Sequence, residues 1–205
     1  MEEGIPFPEI RKAFLAEPAA LLWRTPGIYL VDKPQGKTSH DMVYAARRRL
    51  GLKRVGHGGT LDPLATGLLL ILAGNAARLF DDLQGFHKTY RASLRLGLAT
   101  DTQDITGKVL KERDFLHISR DGFEAALTNF RGEILQTPPM YSSCKHNGQP
   151  LHKLARKGQE VEREARPVSV YSLECLGFGE GTAELLLTVS RGFYVLTLIH
   201  DIGMA

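Results

Sequence analysis

Two cysteines are all the thiol chemistry that the 205-residue sequence holds. Cys144 and Cys175 cannot supply a disulfide framework or a four-thiolate zinc site, and reduced thiols in a cytoplasmic protein are expected. Long apolar runs are missing as well: none reaches the length of about 20 residues that a bilayer demands. The start, Met1-Glu2-Glu3-Gly4-Ile5-Pro6, is acidic and lacks the charged-then-apolar layout of a signal peptide. The sequence has no internal repeat, no low-complexity stretch and no linker. A strong excess of either charge is absent too, with 26 basic against 23 acidic residues and a net charge of +3. Overall charge therefore says little about a polyanionic partner. What remains is ordinary globular material, 43% apolar and 24% charged, enough for one sizeable core or a core with a small lobe.

The distribution of charge is more informative than its sum. Five of the eight residues from Arg47 to Arg54 are basic. A solvated helix end would explain such a cluster by itself. Its place directly before the least ordinary loop of the chain turns Arg47, Arg48, Lys53 and Arg54 into candidates for phosphate contact.

Patterning predicts a short strand over Gly27 to Asp32, ended by the turn residues Lys33-Pro34-Gln35-Gly36. Thr38 or Ser39 can cap a helix through Met42, Val43, Ala46 and Leu50, and Gly51 ends it. Leu68 to Ala73 is a buried strand or helix that periodicity does not separate. Lys88 to Leu96 alternates as a strand, Gly97 to Gly107 is a polar, turn-rich connection, and a helix is expected from about Arg120 to Phe130. A short strand near Ile134 follows, then a helix over Gln149 to Arg156 and a solvated turn over Lys157 to Arg166. Strands over Val168 to Phe178 and Ala183 to Ser190 precede the apolar run Val195 to Ile199. Strands and helices alternate without a βαβ period. The expected class is α+β, with a mixed, largely antiparallel sheet flanked by helices and loops.

The central loop is Gly56-His57-Gly58-Gly59-Thr60-Leu61-Asp62-Pro63-Leu64-Ala65-Thr66-Gly67. A phosphate-binding P-loop is excluded nearby, because Gly36-Lys37-Thr38 has Val31 where the motif needs glycine. Ser39, His40 and Asp41 name the residue types of a triad, yet triad members converge from separate elements. His57 and Asp62 lack a third metal ligand at a standard spacing, so no metal is expected. A single carboxylate in a rigid bend is left. Pro63 pushes Asp62 away from α geometry, and Gly58 and Gly59 permit close approach or positive φ. Such an aspartate suits nucleophilic or acid–base work; by itself the pattern is more often just a turn.

The same loop resembles the catalytic motif of the bacterial tRNA pseudouridine-55 synthases, the TruB family. Further segments match in order: Val31-Asp32-Lys33-Pro34-Gln35-Gly36-Lys37-Thr38-Ser39-His40-Asp41, then Lys88-Thr89-Tyr90 with Leu96-Gly97, Thr100-Asp101-Thr102, Asp104 and Gly107. Gln136-Thr137-Pro138-Pro139-Met140-Tyr141-Ser142 with Lys145, Gly148 and Leu151, and Glu162-Arg163-Glu164-Ala165-Arg166-Pro167-Val168, complete the series. The resemblance implies a pseudouridine synthase core, a tRNA T arm as substrate, and isomerisation of a uridine without a cofactor. It makes Asp62 the catalytic carboxylate, Tyr90 the ring that stacks on the target base and takes part in its removal, and His57 a holder of RNA with its target nucleotide turned out. Lys33 and Lys88, within matching motifs, join the basic run as RNA-binding candidates. The chemistry is consistent: a uracil must leave its stack to be modified, and an aromatic ring recovers about 1–3 kcal/mol of lost stacking. A cytoplasmic monomer is expected.

Two departures stand against the pattern. In Ser190-Arg191-Gly192-Phe193-Tyr194-Val195-Leu196-Thr197-Leu198, the family's arginine, which pairs with the catalytic aspartate, falls on Leu196. Losing one partner of a buried pair costs on the order of 3–5 kcal/mol, roughly several hundred-fold or more in rate. Severe catalytic impairment is therefore expected, with a tRNA-binding or tRNA-folding protein of the same fold as the alternative. A synthase component working with guide RNA and protein partners is a third, less supported reading. The other departure is length. The expectation is an extension over residues 1–26 and a catalytic domain over 27–205, incomplete at its C-terminus and without the small RNA-binding lobe the family usually carries.

Overall fold

The computed structural model describes residues 26–205, so the expected N-terminal extension lies, but for its last residue, outside the described residues. The chain divides into two compact units, one ending at Gly85 and one spanning Phe86–Ala205.

The first unit is a three-stranded antiparallel sheet under one helix. β1 (Gly27–Lys33), α1 (Ser39–Leu50), β2 (Val55–His57) and β3 (Gly67–Ala73) come in that order, and β3 is central. A 3-10 turn (Gly74–Leu79) leads into the short α2 (Phe80–Gln84). β1 pairs with β3 from Gly27 opposite Ala73 to Lys33 opposite Gly67. Pairing on both edges decides what periodicity left open: Leu68 to Ala73 is strand. The two-residue period turns Tyr29 and Val31 inward against Val43, Leu50, Val55, Leu69, Ile71 and Ala73.

Helix α1 starts and stops as its sequence requires. The Thr38 hydroxyl accepts from the Asp41 N–H at 3.0 Å, and the Asp41 carboxylate accepts from the Thr38 N–H at 2.8 Å, a reciprocal capping box. Gly51 ends the helix at φ 65°, its N–H donating to the Arg47 carbonyl at 3.0 Å. That left-handed cap favours a residue without Cβ.

The second unit is built on a four-stranded antiparallel sheet. β4 (Lys88–Arg95), β5 (Leu98–Thr100), β6 (Val109–Glu112), α3 (Arg120–Leu127) and β7 (Gly132–Gln136) are followed by β8 (Lys145–His146), β9 (Gln149–Pro150) and α4 (Leu151–Ala155). β10 (Arg166–Gly179), β11 (Thr182–Val189) and α5 (Val195–Met204) complete it. The sheet order is β4-β11-β10-β7, with β5-β6 and β8-β9 as separate hairpins. Glu180 and Gly181 join β10 to β11 at φ 51° and 73°, and Asn147 and Gly148 join β8 to β9 at φ 49° and 81°. Two successive positive φ values match the right-handed twist of strands in a two-residue hairpin.

The core of this unit gathers Leu94, Phe123, Leu127, Val170, Leu173, Leu185, Leu187 and Val189 with Leu198 and Ile202 of α5. Leu198 and Ile202 are four residues apart and so share one helix face, and each such burial contributes about 1.5–3 kcal/mol. The apolar run at Val195 is thus the start of a helix. Two expectations shift. The connection after Gly97 contains a strand, β5, and the helix expected from Gln149 begins only at Leu151, after Gln149 and Pro150 have closed the β9 hairpin. Antiparallel sheets together with five helices among the described residues make the fold α+β.

Candidate active site

The sequence candidates fall in both units. Lys33, Arg47, Arg48, Lys53, Arg54, His57 and Asp62 belong to the first; Lys88, Tyr90 and Leu196 belong to the second.

In the first unit the loop after β2 is held at several points. The Gly58 N–H donates to the Leu70 carbonyl at 2.8 Å, and the Gly58 carbonyl accepts from the Gln84 amide at 2.8 Å. A Cβ at Gly58 would stand 3.1 Å from that of Leu70. The glycine therefore serves close packing against β3. Neither Gly58 nor Gly59 takes the positive φ considered from sequence; Gly67 does, at 107°.

Asp62 sits between two anchors. On one side, the buried Ser39 hydroxyl accepts from the Leu61 N–H at 2.9 Å and donates to the Leu61 carbonyl at 3.1 Å. On the other, the Pro63 carbonyl accepts from the Gly36 N–H at 2.7 Å and from the Lys33 ammonium at 3.4 Å. A turn closes beneath it, the Ala65 N–H donating to the Asp62 carbonyl at 3.0 Å. The residues flanking the carboxylate are fixed by Lys33, Gly36 and Ser39, while Asp62 itself is exposed. Sequence reading considered Ser39 as a possible cap and as one residue type of a triad. Its real partner lies 22 residues away, and no local pattern announces it.

Lys33 departs from the expectation of an RNA contact. Its side chain is fully buried, and its ammonium also donates to the carbonyls of Lys37 at 2.6 Å and Pro34 at 3.1 Å. Burial lowers its pKa, and the nearby charges of Asp62 and Asp41 oppose that shift. The lysine braces the loop from inside. Arg47 differs as well: one guanidinium nitrogen donates to the Val55 carbonyl at 2.9 Å, which ties α1 to β2. Arg48, Lys53 and Arg54 are exposed, as phosphate contacts would need.

His57 is half-buried on β2, and its Nδ1 has no hydrogen-bond partner among the described residues. Burial lowers its pKa, the Gly59 backbone opposes this, and the charge of His40 adds to the lowering. The neutral form of the ring is therefore favoured.

In the second unit, Tyr90 lies on β4 partly buried against the core. Lys88 precedes it, its ammonium donating to the Phe86 carbonyl at 3.1 Å and its pKa lowered by burial. Leu196 is the second residue of α5, partly buried. The approach to α5 is tightly fixed. The buried Gln136 side chain donates to the Tyr194 carbonyl at 2.9 Å and accepts from the Tyr194 N–H at 2.8 Å. One helical turn on, the Thr197 hydroxyl donates to the Gln103 amide oxygen at 2.9 Å. Among the described residues no three His, Cys, Asp or Glu side chains come together as metal ligands.

These features have close counterparts elsewhere. Residues 47–195 match the TruB family pseudouridylate synthase (N terminal domain). A "tRNA pseudouridine synthase B" of Geotalea uraniireducens is 48% identical over 177 residues, covering 86% of this chain and 57% of that protein. Another of Clostridium tetani is 46% identical over 177 residues, covering 86% and 61%. The chain thus spans about three fifths of the length of these curated relatives. Among solved structures, a chain in the crystal structure of a Cbf5-Nop10-Gar1 complex superposes with a TM-score of 0.68 at 28% identity, over 91% of this chain and 46% of that one. A chain of an H/ACA RNP bound to a substrate RNA containing 2'-deoxyuridine gives 0.64 at 25% identity, over 91% and 45%. A family match across most of the chain, together with the ordered motifs and the shared fold, makes this chain a member of the TruB family of pseudouridylate synthases.

Proposed function

We propose that this protein isomerises uridine to pseudouridine at position 55, in the T arm of tRNA, with Asp62 as the catalytic carboxylate. The observation that carries this reading is the anchoring of Asp62. Leu61 is held by Ser39, and Pro63 by Gly36 and Lys33, so the carboxylate projects from a fixed backbone at the surface where a flipped nucleotide can reach it. Relatives sharing nearly half of their aligned residues are named as acting on tRNA. Tyr90 would stack on the extruded base, His57 would help hold the displaced strand, and Arg48, Lys53 and Arg54 would meet phosphates, which makes binding salt-dependent. Arg47 and Lys88, each bonded to a backbone carbonyl, would add only the outward part of their charge. The reaction needs no cofactor, and a cytoplasmic monomer fits it. The residues from 27 onward would form the catalytic domain.

A second reading has its own observation. Leu196 stands where the family has arginine, in a turn fixed by Gln136 and Gln103. The resemblance pairs that arginine with the catalytic aspartate, a part leucine cannot take, and Arg191 lies five residues earlier in the chain. The reaction is then slowed by roughly several hundred-fold once RNA excludes water from the site, leaving capture of the T arm as the residual activity. The experiment uses unmodified tRNA transcript, with pseudouridine quantified at the T-loop position. It compares the chain with its Asp62→Asn and Leu196→Arg variants. Slow turnover that Leu196→Arg raises and Asp62→Asn abolishes is the expected result. Turnover by Asp62→Asn would remove the carboxylate from the mechanism, and near-normal turnover by the unaltered chain would remove the impairment.

A further inference from the structure

A cavity of about 150 Å³ opens within the second unit, between the β7–β10 edge and the turn that enters α5. Two arginines line it: Arg166 from the first position of β10 and Arg191 from the turn. Cys144 and Tyr194 line it too, with the Cys144 sulfur 3.1 Å from the Tyr194 hydroxyl and 3.8 Å from an Arg166 nitrogen. No aspartate or glutamate lines the cavity, and neither arginine forms an ion pair among the described residues.

That combination has a direct electrostatic meaning. Two like charges bordering one small space repel, and no carboxylate among the lining residues offsets them. Both residues are exposed, and a cavity bordered by two arginines and no carboxylate favours an anionic guest. The polar side chains present can donate: guanidinium N–H groups, a phenol and a thiol, the last also accepting from Arg166. The Gln136 amide, already engaged by both backbone groups of Tyr194, makes the floor rigid. A tetrahedral oxyanion with several acceptor oxygens suits this set better than a planar carboxylate, because arginine forks can engage separate oxygens from two sides.

We propose that the Arg166–Arg191 cavity is a seat for a backbone phosphodiester of the bound RNA, at a point removed in sequence from the basic run after α1. The assignment of the guest to RNA rests on the function proposed above. The seat would set the register of the strand, since phosphate contacts position an RNA without reading its bases. Its two arginines belong to the unit that carries Tyr90, so the cavity holds the RNA on a fixed frame relative to that ring.

The experiment has two arms. In the first, affinity for a tRNA transcript is measured over a salt series for the unaltered chain and for Arg166→Gln, Arg191→Gln and the double variant. Each substitution should reduce the slope of log affinity against log salt by about 0.7–0.9, and the double variant by about twice that. In the second, Cys144 serves as a reporter inside the cavity. Its alkylation by iodoacetamide is followed by peptide mass spectrometry with and without tRNA, with Cys175 as the control thiol. tRNA should slow Cys144 several-fold and leave Cys175 unchanged. Binding of tRNA with an unchanged slope in the double variant and an unprotected Cys144 would overturn the seat while leaving the tRNA reading intact. Protection by inorganic phosphate alone, and none by tRNA, would overturn the phosphodiester assignment. Failure of the unaltered chain to bind tRNA would overturn the tRNA reading, and the RNA assignment of this cavity with it.

Discussion

Replacing Ser39 by alanine removes one buried oxygen and tests how Asp62 is held. The hydroxyl is paired twice with the backbone of Leu61, accepting at 2.9 Å and donating at 3.1 Å. Each bond contributes about 0.5–1.5 kcal/mol, so the pair amounts to about 1–3 kcal/mol. Ser39 is also the first residue of α1, where alanine's better helix propensity returns no more than about 0.5 kcal/mol. A net loss of about 0.5–2.5 kcal/mol follows, and it is concentrated at one peptide. Because α1 keeps its Thr38–Asp41 capping box, the helix itself should persist. The assay is amide hydrogen exchange at Leu61, backed by urea unfolding. Exchange at Leu61 should accelerate about tenfold for each 1.4 kcal/mol lost, while amides in the second unit stay as they were. Pseudouridine formation should fall at least in proportion, since a loosened Leu61 frees the adjacent carboxylate. Unchanged exchange at Leu61, or full activity with accelerated exchange, would refute the argument that this serine positions Asp62.

Two more outcomes follow from the second unit. Gly181→Ala must adopt φ 73° and place a Cβ 2.5 Å from the Phe115 ring. The left-handed backbone costs about 1–2 kcal/mol and overpacking about 1–3 kcal/mol more, so urea unfolding should show a loss of about 2–5 kcal/mol. The second outcome concerns Tyr194, whose phenol is pushed up to about 12, first by burial and then by its bond to Cys144. In the unfolded chain the group ionises near the ordinary value of about 10. The unfolded state therefore binds fewer protons between pH 10 and 12, and stability falls as pH rises through that window. Tyr194→Phe should flatten that fall in alkaline unfolding curves, and an unaltered curve would contradict the assignment.

Much of the scaffold was legible because its signals are local. Thr38, Asp41 and Gly51 mark both ends of α1, and alternation marks β4, β10 and β11, since capping and pleating depend on near neighbours in sequence. The β3 segment was ambiguous because Leu68 to Ala73 is apolar throughout, and only its pairing with β1 and β2 on either side excludes a helix. Lys33 was misjudged for a related reason. A lysine beside prolines and glycine suggests a surface turn, and nothing nearby reveals that a carbonyl 30 residues away will help hold its ammonium inside. The position of Asp62 was readable from its loop, but the serine and the glycine that fix the loop act across the fold. Arg166 and Arg191, 25 residues apart in sequence, likewise meet only because β10 and the turn before α5 border the same space.

The buried lysine also bears on which strand alignment the chain adopts while folding. β1 and β3 form a nearly featureless apolar ladder, with Ile28, Leu30, Leu68, Leu70 and Leu72 on one face and Tyr29, Val31, Leu69 and Ile71 on the other. Hydrophobicity alone would tolerate a slip by one residue, which exchanges the two faces of β1. In the slipped ladder Lys33 would turn outward and lose its three carbonyl partners, and Asp32 would turn toward the helix with no cation to meet it. An uncompensated buried carboxylate is costly. A charged side chain admitted to this interior thus acts against misalignment, and the loop that carries Asp62 acquires its shape only when the ladder has closed in the correct frame.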